Sequence, residues 1–316
     1  MPADAVLFIG YGGPTAPDEI RPYLQNVAKG RPIPPERLEE VAHHYELIGG
    51  RSPYNDACVR LMCATEARLR ELGRPLPCAL GLRNWSPYLR DAVETLWRGG
   101  RRRAVGVILA PHRCEASWER YQQDVREAQE ASEVVKGRLE VRYPRAWHDD
   151  PLLLEAMAQR IEASVPWSRG AWPAEVPLVL TAHSIPTGMA AECAYVNELL
   201  ATAGGVADLL GAGRWSLAYQ SRSGPPRQPW LEPDINDVLR AQAAEGVREV
   251  VVAPVGFLSD HVEVLYDLDV EARATSEGLG MALHRGGTVE DHPLFAELLA
   301  QRIVEASDAG EVSNEQ

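Results

Sequence analysis

Two doubly wound α/β lobes, with parallel sheets facing each other across a cleft, are the fold class that this sequence predicts. Three observations predict it. Short aliphatic runs alternate with longer amphipathic stretches along the chain, as in parallel-sheet units. A weak internal repeat divides the chain in two. At 316 residues the chain also exceeds what one hydrophobic core usually organises.

The strand-like runs are VLFIGY near residue 6, CALGL near 78, VGVILA near 105, LEVRYP near 139, PLVLTA near 177, WSLAYQ near 215 and VVVAPV near 250. Between them lie helical candidates such as PPERLEEVAHHYELIGG, where Pro34 and Pro35 suit a helix start and Gly49 and Gly50 its stop. Seven strands with their helices fit a first lobe over 1–146 and a second over 147–316, with a C-terminal helix at about 290–307 packing back on the first.

The repeat sets VLFI followed by Gly10-Tyr11-Gly12-Gly13-Pro14 against LVLT followed by Ala182-His183-Ser184-Ile185-Pro186. Later in each half come a glycine, a basic segment, a Val-rich strand and Ala-Pro, over 100–111 and again over 246–254. Tyr11 and His183 thus take corresponding strand ends. Open parallel sheets bind ligands beyond the carboxyl ends of their strands, so two facing lobes would set these residues on opposing walls.

Composition narrows the class. Hydrophobic residues make up 45% and charged residues 24%, a globular balance, and no stretch approaches the roughly 20 apolar residues of a membrane span. The N-terminus MPADAVLFIG passes directly into a strand-like run without the basic segment and apolar core of a signal peptide, so a soluble, cytoplasmic protein is expected. The five cysteines are odd in number and form no CxxC pair, which argues against a disulfide framework or a zinc site. A net charge of −13 gives nucleic acid no general attraction, and a polyanionic ligand would need a local basic pocket.

His183 follows an apolar strand, where an imidazole can be held rigidly at a cleft with its proton state tunable near neutral pH; a satisfied structural histidine is the alternative. The segment GFLSDHVEVLYDLDVEARA places Glu263, Asp267 and Glu271 at i, i+4 and i+8, on one face of an α-helix. Solvated, that row is an ordinary acidic face. Surrounded by Val262, Val264, Leu265, Leu268 and Val270, it calls for protons or metal ions to neutralise it, and oxygen ligands with open positions suit a divalent ion in transit. Gly10-Tyr11-Gly12-Gly13 lacks both G-x-G-x-x-G and the Lys-Ser/Thr of a Walker loop, so no nucleotide is expected. Its small residues instead let a flat ligand approach the backbone and leave the Tyr11 phenol above it; a tight turn with a core tyrosine remains the alternative.

Lys29, Arg31, Arg51, Arg83 and Arg113 lie beside Ser52, Asn55, Asn84, Trp85 and Tyr121, and arginines among hydroxyl and amide donors fit multidentate carboxylate recognition. Taken singly, each could be a surface arginine. In YQSRSGPPRQPWLEPD four prolines, among them Pro225 and Pro226, stiffen a loop around Trp230.

These motifs together resemble the ferrochelatases, from VLFIGYGGP through VGFLSDHVEVLYDLDVEA, over nearly the whole chain. The resemblance implies the chelatase fold, with a porphyrin clamped between the lobes and ferrous iron as substrate. It implies that TAHSIP carries the histidine that takes pyrrole protons or meets the metal, here His183, and that SDHVEVLYD carries its carboxylate partner, Glu263. Asp267 and Glu271 match the family's acidic ridge, a delivery route for metal. GYGGP, QNVAKGR, IPPERLEEVAHHY, GLRNWSPY and YQSRSGPPRQPWLEPD look like the coproporphyrin-type enzymes of Gram-positive bacteria, implying coproporphyrin III as substrate, coproheme as product, and Tyr11 as an axial contact to the inserted iron. Tyr11, Lys29, Arg31, Ser52, Asn55, Arg83, Asn84, Trp85, Tyr121 and Trp230 are then the expected porphyrin contacts. Ala28 and His44 depart from relatives that carry propionate-binding arginines. No cysteine follows Cys193, so the C-terminal iron–sulfur cluster of some relatives is not expected. The reading implies a monomer in transient contact with a coproheme decarboxylase. Its rivals are a protoporphyrin IX ferrochelatase, a cobalt or nickel tetrapyrrole chelatase of the same fold, and a noncatalytic porphyrin carrier.

Overall fold

The computed structural model describes residues 1–30, 33–224 and 227–309. Among the described residues eight strands form two four-stranded sheets. Strands β1 (Ala5–Gly10), β2 (Cys78–Leu82), β3 (Arg103–Ile108) and β4 (Glu140–Arg142) take the order β2-β1-β3-β4. Strands β5 (Leu178–His183), β6 (Trp215–Gln220), β7 (Glu249–Ala253) and β8 (Ala282–Arg285) take the order β6-β5-β7-β8, and every pairing is parallel. The second sheet repeats the first with each strand advanced by four. Tyr11, just after β1, and His183, the last residue of β5, therefore hold equivalent places.

The central strands are buried on both faces, which is why they read as continuous apolar runs. Along β1, Val6 and Phe8 point into one core while Ala5, Leu7 and Ile9 point into another, the two-residue period of a strand. Strand β8 is the one the sequence did not announce. It is a four-residue edge, ALHR, hydrogen-bonded on one side only, and it carries neither an apolar run nor a β-branched residue.

Each lobe has an apolar cluster of its own, and a third cluster is shared between them. The largest apolar cluster runs from Val6, Phe8 and Leu61 through Leu153, Leu178 and Leu180 to Phe295 and Leu299. Its bridge is the C-terminal helix Pro293–Asp308, which lies against the helices Tyr54–Glu71 and Pro151–Glu162. Ion pairs of Arg68 with Glu297 and Arg74 with Asp308 reinforce the packing, as does Arg60 with Glu290 at 2.8 Å. We propose that the lobes divide at 146/147, in the connection from β4 to the helix Pro151–Glu162. Among the described residues no helix is long and apolar enough to cross a membrane.

Candidate active site

The carboxyl end of β5 presents His183, and the segment after β7 turns back to meet it. There the chain makes one α-helical turn, Val262–Val264, then a π-helix, Leu265–Ala272, then α-helix again, Arg273–Gly278. The expected α-helical face is corrected accordingly. In an α-helix a residue at i+8 is rotated about 80° from the first; the wider π turn, closing i to i+5, draws Glu263, Asp267 and Glu271 back towards one line.

Glu263 sits between two imidazoles. Its Oε1 lies 3.5 Å from His183 Nε2, and its Oε2 lies 3.9 Å from His261 Nε2. Backbone contacts fix the tautomers. His183 Nδ1–H donates to the Ser184 carbonyl, which can only accept, so Nε2 is the exchangeable nitrogen. His261 is wired oppositely: its Nδ1 accepts from the Val264 N–H at 3.3 Å, capping the helical turn, so Nε2 carries the proton towards Glu263.

Burial would lower the His183 pKa, but the charge and hydrogen bond of Glu263, with lesser help from the Ser184 carbonyl and Asp267, raise it overall. Burial likewise opposes the Glu263 charge, yet His183, then His261 and Arg37, bring its pKa down to about 2. His261 is lowered, chiefly by burial. Asp267 is pushed up to about 7 by burial, then by Glu263 and Glu271, against the Ser221 hydroxyl that donates to it. Glu271 is raised by burial and by Asp234. The row thus runs from a fully ionised carboxylate at His183 to one that exchanges its proton near neutral pH.

The opposing wall belongs to the first lobe. Tyr23 packs edge-on against Tyr45 and against Trp85, each at 6.0 Å, and Tyr11 joins this cluster. Val262 packs on the same cluster, and His44 stacks on Tyr266 at 3.6 Å with rings 7° from parallel. The acidic segment of one lobe thereby touches the helix Pro35–Leu47 of the other.

The loop under Tyr11 is held by Tyr54 and by three side chains expected to touch ligand, Ser52, Asn55 and Asn84. The Tyr11 N–H donates to the Tyr54 hydroxyl at 3.0 Å, and the Tyr11 carbonyl accepts from the Asn84 backbone and side chain. Asn55 accepts from Gly13 N–H at 2.9 Å and donates to the Gly13 and Ser86 carbonyls. Ser52 donates its backbone N–H to the Pro14 carbonyl and fills the space beside Gly13, where a Cβ would stand 2.6 Å from its own. Gly12 takes φ +88°, a conformation open to glycine.

The other expected contacts fall as follows. Arg83 is paired with Asp124 at 3.0 Å and lies over the Tyr121 ring, and both partners are buried. The Trp85 indole donates to Glu19 at 2.9 Å. Lys29 is exposed at the end of the helix Ile20–Ala28. Trp230 is half-buried, its backbone bridging to Pro186. Arg31, Pro225 and Pro226 lie outside the described residues. Beyond Pro186 a hollow of about 510 Å³ opens between Glu115 of the first lobe and Gly188, Met189, Glu192, Gln228 and Pro229 of the second.

Sequence reasoning missed His261, Tyr23, Tyr45, Gln220 and Ser221. His261 had a usable signal, since it stands two residues before Glu263 at the start of a helical turn. Gln220 donates to the Glu263 carbonyl at 2.8 Å, a role that no local pattern announces.

Comparisons with known proteins give the family. The family described as Ferrochelatase matches residues 3–307. A ferrochelatase of Rhodopirellula baltica is 38% identical over 305 residues, covering 96% of this chain and 86% of its own. Proteins named coproporphyrin III ferrochelatase are 39% identical in Mycolicibacterium vanbaalenii, covering 96% and 90%, and 40% identical in Mycobacterium marinum, covering 98% and 89%. Among solved structures, SirB from Bacillus subtilis with Fe3+ superposes with a TM-score of 0.59 over 96% of this chain and 95% of that one, at 12% identity, a likeness of fold alone. On its matched length and on these relatives, the chain belongs to the ferrochelatase family.

Proposed function

We propose that the protein inserts ferrous iron into coproporphyrin III, with His183 and Glu263 carrying the chemistry. The observation that carries this reading is the His183 Nε2 to Glu263 Oε1 approach of 3.5 Å, next to Val262, which packs on the same first-lobe aromatic cluster as Tyr11. The relatives named for coproporphyrin III support the choice of porphyrin.

Insertion exchanges one dication for the two pyrrole protons, so the site must bind the metal and remove the protons. Glu263 is ionised, and its charge beside His183 favours the protonated imidazole, so the two lean towards an ion pair. An approaching dication repels the imidazolium proton, freeing Nε2 as the first nitrogen to meet iron or to take a pyrrole proton. Glu263 accepts the displaced proton and passes it along the row. Asp267, titrating at about 7, is placed to exchange it with solvent. Asp267 and Glu271 also draw the cation inward, so metal travels in as protons travel out. Tyr11 meets the inserted iron from the other face. Porphyrin distortion is supplied by binding its rim carboxylates.

The reading needs neither an iron–sulfur cluster nor a nucleotide. We take the enzyme to work as a cytoplasmic monomer that hands coproheme to a decarboxylase by transient contact.

An anaerobic absorbance assay with ferrous iron and each porphyrin tests the reading. It expects turnover of coproporphyrin III with a higher kcat/KM than protoporphyrin IX. The reverse preference would overturn the substrate, and no insertion into either porphyrin would overturn the activity.

A further inference from the structure

We propose that Arg285 is a positioning residue for the iron route: it ties down the π-helix so that Asp267 and Glu271 face the incoming cation. This rests on the delivery role given to those two carboxylates above.

The π-helix Leu265–Ala272 is held from both edges of the second sheet, whose outer strands are β6 and β8. On the β6 side the Ser221 hydroxyl and, at 3.5 Å, the Gln220 amide donate to Asp267. On the β8 side Arg285, the last residue of that strand, brings its Nε to 3.4 Å from Asp269. Between these two holds Leu268 and Ala272 pack into the apolar cluster of Val250 and Val252. Asp269 stands two residues from Asp267 and two from Glu271, and residues two apart leave different sides of a helix. Holding Asp269 against β8 therefore keeps both neighbours on another side.

The grip of Arg285 suits placement. Its side chain is 9% exposed; Nη2 donates to Asp260 Oδ1 at 2.6 Å and Nη1 to the Gly286 carbonyl at 3.0 Å, which leaves Nε for Asp269. The Thr288 hydroxyl donates to the same Asp260 oxygen at 3.0 Å. One planar guanidinium thus joins the residue before His261 to the middle of the π-helix, across the segment that carries Glu263. π-Helices are rare and mostly single turns, so eight residues of one call for ties from outside. By charge alone Arg285 would hinder the route, since a cation beside the row repels the iron that the row attracts. Its value to the route lies in where it holds Asp269. Arg273 provides the contrast: it lies 3.8 Å from Asp269 with its side chain 42% exposed, a contact too loose to fix a helix.

The test compares Arg285→Lys and Asp269→Glu, which keep every charge but shift the grip, with their double variant and with Arg273→Gln. The ferrous iron dependence of insertion is read anaerobically by absorbance, and Co2+ binding to the porphyrin-free protein by calorimetry. Each single variant should raise the half-saturating iron concentration and the Co2+ Kd about fivefold, with the rate at saturating iron within about twofold of the parent. The double variant should be no worse than the more affected single, since both changes break one tie. Arg273→Gln should need no more iron than the parent. Unchanged iron dependence in either single variant, additive losses in the double, or a raised iron requirement in Arg273→Gln would overturn the proposal. Should Arg285→Lys not fold, Asp269→Glu decides by the same two readouts. If the parent inserts iron into neither porphyrin the activity reading fails, while the Co2+ comparison still decides the role of Arg285.

Discussion

His183 and Glu263 meet through one nitrogen: Nε2 faces the carboxylate at 3.5 Å, while Nδ1 is tied to the Ser184 carbonyl of the same turn. The imidazole therefore cannot present its other edge, and its proton state answers to Glu263. Removing that charge should lower the His183 pKa below its ordinary 6.5, because burial then opposes protonation with only the Ser184 carbonyl and Asp267 to offset it. NMR titration of the His183 ring in the parent and in Glu263→Gln checks this, and a midpoint unchanged between them would contradict it.

The same pair dictates a stability profile. His183, raised in the folded state, stabilises fully below 6.5 and loses that contribution as pH climbs through its folded pKa. Glu263, lowered to about 2, stabilises above 4.5 and loses its contribution as pH falls towards 2. The Tm difference between the parent and Glu263→Gln should thus be largest between pH 4.5 and 6.5 and shrink on both sides.

Asp267 behaves oppositely. With its pKa raised from 3.8 to about 7, the folded state binds its proton more tightly, so this group costs stability as pH rises through that window. Asp267→Asn should gain Tm relative to the parent on going from pH 4 to pH 7.5. In the double variant Asp267→Asn with Glu271→Gln, half-maximal rate should need more ferrous iron while the rate at saturating iron approaches the parent's. An unchanged iron dependence would reduce the row to a solvated acidic face.

How much of this was legible in sequence depended on how local the cause was. Strands β1, β5 and β7 are buried on both faces and so declare themselves as apolar runs, whereas β8 is a polar edge that forms only because β7 is there to pair with. The spacing of Glu263, Asp267 and Glu271 was readable, but the π-helix that aligns them was not, since the same apolar pattern serves both pitches. Ser52, Asn55 and Arg83 were read as ligand contacts because their chemistry fits carboxylates. Their partners Gly13 and Asp124 come from other elements, and only the fold shows that these polar atoms are already engaged.

That engagement makes the Tyr11 loop intolerant of added atoms. Gly13→Ala would set a Cβ 2.6 Å from the Ser52 Cβ in a closely packed turn. A loss of about 1–3 kcal/mol in denaturant unfolding is expected from such overpacking. Gly30→Ala, where no atom lies within 4 Å of the new Cβ, should show none of that packing cost, only the strain of φ +77°.

The central claim is that His183 performs the insertion while the porphyrin is held by other groups. Its most direct test is an anaerobic single-turnover measurement with His183→Ala, following iron insertion by absorbance and porphyrin binding by fluorescence in the same samples. The account predicts that porphyrin Kd stays within about threefold of the parent while insertion is abolished, as for loss of a group used only in the chemical step. Insertion at a near-parental rate in His183→Ala would contradict it.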